Sequence, residues 1–126
     1  MKINTIIVML GAPLLSLLLS LFTDLPWWIF IPISFLFSYV FSLKISTDGF
    51  FANFIGTAIS WIIAAVIINH RNESILSEKI ATLFHLPSLY LLFVISGLLG
   101  GLLAGGAGSL GAYLHLLQNQ KKKRRR

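Results

Sequence analysis

The sequence predicts an all-α fold: a polytopic membrane protein with four transmembrane helices and a short outer amphipathic helix. Three observations predict it. The chain has 126 residues, 56% of them hydrophobic and only 11% charged, whereas a soluble domain carries about 25% charged residues. Four long runs are apolar: 3–22, 25–43 and 49–68 carry no ionisable side chain, and 87–117 carries only His115. A helix needs about 20 such residues to cross a hydrocarbon core of about 30 Å. Finally, the runs are continuous, whereas the strands of a membrane barrel alternate over about 10 residues.

Residues 1–117 read as one membrane-embedded bundle, followed by a basic tail at 118–126. The first span, 3–22, contains Pro13, which removes a backbone donor and predicts a kink. A signal peptide is the other reading of 1–22, but the only n-region charge is Lys2 and no A-x-A site follows. Thr23-Asp24-Leu25-Pro26 is a tight link, so the second span, 25–43, returns antiparallel, with a second kink predicted at Pro32. Thr47-Asp48-Gly49 is the next link, and Thr47 or Asp48 is placed to cap the third span, 49–68. In the longer connection, 69–86, Ile75, Leu76, Ile80, Leu83 and Phe84 approximate one helical face. This predicts an amphipathic surface helix, N-capped at Asn72 and ended before Pro87; an ordered loop packed on the bundle is the alternative. The fourth span, 87–117, would run about 46 Å as a helix. It must tilt, emerge from the bilayer or begin in the interface.

Basic residues orient the chain. Six of the ten are the tail Lys121, Lys122, Lys123, Arg124, Arg125 and Arg126; without them the net charge of +6 falls to zero. With four spans, Lys2, Lys44 and the tail share one side, and Arg71 and Lys79 lie on the other. Cytoplasmic loops carry the excess of Lys and Arg, so both termini are predicted to be cytoplasmic. Trp27, Trp28 and Tyr90 then fall at the outer ends of their spans, and Phe50, Phe51 and Tyr113 near the inner ends. The tail is expected to contact anionic lipid headgroups, at about 1 kcal/mol per basic residue. A bare charge run gives little support to nucleic acid as a partner.

Polar residues inside the spans are sparse and regularly spaced. Ser34, Ser38 and Ser42 share a face of the second span; Asn53, Thr57 and Ser60 share a face of the third, beside Gly56. They read either as interhelical hydrogen bonds or as a hydroxyl-lined path for a small solute. Asp24, Asp48, Glu73 and Glu78 all fall in loops, which disfavours proton-coupled transport. His70, Glu73, Glu78 and His85 are candidate metal ligands by residue type, but their spacing matches no zinc motif. With no cysteine and no carboxylate or Ser–His pair at a shared depth, no enzyme activity, metal or cofactor is expected.

Glycine dominates the fourth span. Gly97, Gly101, Gly105 and Ser109 form one ridge at i+4 spacing; Gly100, Ala104, Gly108 and Ala112 form the adjacent one. Side by side they make a groove that another helix backbone can approach closely. That helix is the third, through Ala52, Gly56 and Ser60, or the fourth helix of a second copy. The overlap of the two ridges also produces GAGSLG, Gly106 to Gly111, a literal G-x-G-x-x-G. A dinucleotide loop needs a preceding strand and an acidic residue about 20 positions on; here an apolar helix precedes, and KKKRRR follows.

The segment from Asn72 to Leu117, NESILSEKIATLFHLPSLYLLFVISGLLGGLLAGGAGSLGAYLHLL, resembles small integral-membrane proteins of bacteria whose function is unassigned. The resemblance implies a bacterial inner membrane and no chemistry. Small multidrug exporters have four spans too, but their membrane-embedded glutamate has no counterpart in the first span. Dual-topology fluoride channels need weak charge bias, and their phenylalanine and threonine-serine signatures are not evident. The sequence thus points to a non-enzymatic membrane protein acting by helix association, as a homo-oligomer or an accessory subunit of a membrane complex. The alternative is a small channel or facilitator lined by the hydroxyl faces of the second and third spans.

Overall fold

The computed structural model describes residues 3–22, 26–41 and 46–125. The order is α1 (Ile3–Phe22), a 3-10 turn (Trp27–Ile29) leading into α2 (Phe30–Val40), α3 (Ser46–Arg71), α4 (Ile75–Leu83) and α5 (Leu89–Arg124). Among the described residues there is no strand. The α3–α5 pair is the centre of the molecule; α2 lies along α5, and α1 lies against α3 and α2. α4 touches the bundle only lightly.

Two helices are long and apolar enough to cross a membrane: Thr47–Arg71, with 25 residues, and Leu89–Arg124, with 36. Four were expected. α1 runs over 20 residues, Ile3–Phe22, of which Ile3–Leu19 forms a shorter apolar helix, as does α2, Phe30–Val40. α2 falls furthest short of the expected 25–43: its 11 residues rise about 16 Å. Pro26 is extended (φ −62°, ψ 147°) and the backbone then makes a 3-10 turn before α2 begins. Pro32 is therefore the third residue of α2, where its missing N–H has no intrahelical acceptor to lose.

Other boundaries shift for local reasons. α3 begins at Ser46, so Thr47 and Asp48 lie in its first turn, where the Asp48 carboxylate faces the positive end of the helix dipole. Asn72 does not cap α4. Its N–H still donates to the Ile68 carbonyl at 3.0 Å, and α4 is preceded by Glu73 and Ser74, both at positive φ. α5 starts at Leu89, with the Ser88 hydroxyl accepting from the Leu91 N–H at 3.4 Å. It then runs unbroken through Lys121–Arg124, well past the expected end at 117. The links at 23–25 and 42–45 lie outside the described residues.

The interior is built from small and polar residues, and the exterior from large apolar ones. Ala12, Ala52, Ala58, Ala104, Ala107 and Ala112 are buried, with a few larger residues such as Val8 and Phe93. Leu and Ile side chains of α1, α3 and α5 point outward: Leu10, Leu14, Ile59, Ile63, Leu99 and Leu103 are all exposed. Only 28% of the apolar window of α3 and 33% of that of α5 is buried within the chain, so most of both helices meets the surroundings. Where α1, α2, α3 and α5 converge, Val8, Ala52 and Ala112 form a cluster enclosed by Met9, Phe37 and Phe41.

Candidate functional site

α3 and α5 approach so closely because one face of α5 lacks side chains. A Cβ added at Gly97 would lie 2.9 Å from the Ala58 carbonyl oxygen. At Gly101 it would lie 2.9 Å from that of Phe54, and at Gly105 3.2 Å from that of Phe50. The partners step by four residues in opposite directions, so the two helices are antiparallel and in register. Gly49 and Gly108 face each other: a Cβ on either would come within 2.6–2.7 Å of the other's carbonyl oxygen. Such spacing admits Cα–H···O contacts along the seam. Gly100 makes room for the Trp61 indole, whose ring meets Phe30 edge-on at 5.0 Å.

The sequence drew Gly56 into this groove, but the structure turns it to α1. A Cβ there would overlap the Met9 carbonyl oxygen. Met9 is four residues before Pro13, so its carbonyl is the one that proline leaves without an N–H donor. Gly111, absent from both expected ridges, meets the Phe35 carbonyl of α2. Gly106 is exposed with no neighbour within 4 Å of an added Cβ, and Ser109 is half-buried. Neither pairing is legible from composition. A proline four residues after a carbonyl, opposite a glycine, is the signal that could have found the first.

Within the seam lies a polar cluster. Ser34 and Ser38 of α2 and Asn53 and Thr57 of α3 are each at most 1% exposed. The Asn53 amide nitrogen donates to Ser38 Oγ at 2.7 Å and to the Gly49 carbonyl at 2.8 Å. The carbonyl fixes the amide's orientation, since only its NH2 end can face an acceptor. Gly108 is what lets α5 lie against that amide; a Cβ there would overlap it. Asn53 Oδ1 and Thr57 Oγ1 have no hydrogen-bond partner among the described residues. Of the rest of the expected polar faces, Ser60 is half-buried and Ser42 lies outside the described residues.

The C-terminal end of α5 carries a second polar group. Tyr39 donates from its hydroxyl to Gln118 Oε1 at 2.6 Å, its ring meets His115 edge-on at 5.7 Å, and His115 Nε2 lies 2.8 Å from the Asn119 amide nitrogen. Lys121, Lys122, Lys123 and Arg124 continue the helix and are exposed, as is Arg125 beyond it. Arg126 lies outside the described residues. Their charges complement the negative end of the α5 dipole. At the opposite end of the molecule, His70, Glu73, Glu78 and His85 are exposed, and no group of three or more His, Cys, Asp or Glu side chains gathers among the described residues.

Fold and seam define an all-helical protein, with two helices long and apolar enough to cross a membrane, packed through glycine on backbone carbonyls. No family model, curated protein or solved structure matches the chain.

Proposed function

We propose that the chain is an integral membrane protein with four membrane-inserted helices and cytoplasmic termini, acting by helix association rather than by catalysis. It serves as a homo-oligomer or as an accessory subunit of a membrane complex. The inverted partition, with glycine, alanine, serine and asparagine inside and leucine and isoleucine outside, supports a lipid surrounding: in lipid there is no gain in burying large apolar groups. The basic residues at 2, 44 and 121–126 support the orientation.

The observation that carries association is the outward stripe of α5. Leu99, Leu103, Gly106, Leu110 and Tyr113 are exposed and spaced four, three, four and three residues apart, the repeat of a coiled-coil seam. Gly106 forms a notch in that stripe. The other glycines of α5 already serve contacts within the chain, so a partner helix meets α5 here. The test is subunit counting in lipid: the chain is expected to form a defined oligomer or complex, and Gly106→Ile to disperse it. An unchanged assembly would sink this surface.

A second reading rests on the buried polar cluster. Ser34, Ser38, Asn53 and Thr57 line a closed seam through which a small facilitator would pass a neutral solute. In liposomes such a protein would leak one member of a solute panel, and Ser38→Val would change that flux; no flux across the panel removes the reading.

A further inference from the structure

We infer that Asn53 Oδ1 and Thr57 Oγ1 together bind a small neutral hydrogen-bond donor, a water molecule in the resting protein. Three observations converge. Both oxygens are buried, in residues 0% and 1% exposed, and neither has a partner among the described residues. Leaving either unpaired in the interior is costly, and two on one face doubles the penalty. The Asn53 amide cannot relieve it by flipping, because the Gly49 carbonyl at 2.8 Å requires the NH2 end.

The spacing suits one molecule. Residues four apart on a helix are neighbours on one face, and one water with two hydrogen bonds of about 2.8 Å is the smallest ligand that satisfies both oxygens. Asn53 Oδ1 only accepts, so the ligand must donate to it; Thr57 Oγ1 can accept the ligand's second hydrogen. The ligand is neutral because the buried polar residues among those described are Ser34, Ser38, Asn53 and Thr57, none of which ionises. A cation there would have no counter-charge. The site requires neither association nor transport: a monomeric, non-conducting protein with this water leaves it intact.

The test uses the full chain in lipid bilayers. Solid-state NMR magnetisation transfer from water protons should reach the Thr57 methyl but not the methyls of Val8, which is equally buried. Equal transfer to both, or none to Thr57, overturns the site. Valine matches threonine in shape, so Thr57→Val should lower the thermal midpoint by about 4 °C if a bound water is lost. Thr57→Ser should stay within about 1 °C of the unaltered protein. A Thr57→Val midpoint equal to or above the unaltered one also overturns the site, because it would show an oxygen that pairs with nothing. If Thr57→Val fails to fold, the transfer to Thr57 in the unaltered chain decides alone.

Discussion

The α3–α5 and α1–α3 contacts both bring glycine onto a backbone carbonyl, yet they differ in how the contact is distributed. α3 and α5 repeat it along the helix, from Ala58–Gly97 through Phe54–Gly101 and Phe50–Gly105 to the reciprocal Gly49–Gly108 pair. α1 and α3 concentrate it at Gly56 against Met9, where Pro13 leaves the carbonyl without its helical donor. A repeated contact tolerates a local error because its neighbours hold the register. A single contact does not, and here it is also the tighter of the two.

That difference orders the expected effects. The largest belongs to Gly56→Leu: the added side chain meets backbone rather than a movable rotamer, so α1 must leave α3, with a loss of about 3 kcal/mol. Reversible unfolding in detergent reads the loss, and a disulfide engineered between α1 and α3 should no longer form. Gly101→Ala should cost about 1 kcal/mol, since its added Cβ would lie 2.9–3.1 Å from Phe54 and Ala58 and the flanking contacts survive. If Gly101→Ala proved as damaging as Gly56→Leu, the contrast between distributed and single contacts would be wrong. Pro13→Ala returns an N–H to the Met9 carbonyl and competes with the Gly56 contact, worth about 0.5–1 kcal/mol; cross-linking between α1 and α3 should fall while the helix content holds. Smallest is Gly106→Ala, which meets nothing within 4 Å and should stabilise the isolated chain by about 0.5–1 kcal/mol through backbone entropy. A destabilised monomer would place a contact there that α5 does not show.

Much of the interior was legible from residue type and spacing. Ser34, Ser38, Asn53 and Thr57 lie on faces that the i+4 rule picks out, and all four are buried. The glycine ridges of α5 are likewise readable. Pairing was not: in runs where nearly every residue is apolar, hydropathy carries no period, and the buried face is marked by size instead. Size marks a groove without naming the helix that fills it, so spacing alone leaves the α5 groove open to α3 through Gly56 or to a second copy, and gives Gly111 no partner. Helix length was misread for a related reason. Residues 25–43 carry no ionisable side chain, and their first polar one is Ser34, so nothing in their polarity reports the extended Pro26 and the 3-10 turn that shorten α2. The start of α4 turns on Glu73 and Ser74 at positive φ, a conformation that neither side chain advertises.

The continuity of α5 makes it a lever. One helix runs without a break from the glycines packed on α3 to the cations at Lys121–Arg124. From Gly105 to Arg124 is about 28 Å of rod, so a tilt of about 10° at the glycine seam swings the charged end by about 5 Å. Successive residues turn by about 100°, so the four cations ring the axis rather than form one basic face. A flat anionic surface can therefore engage only part of that ring at a time, and rotation of α5 changes which part it meets.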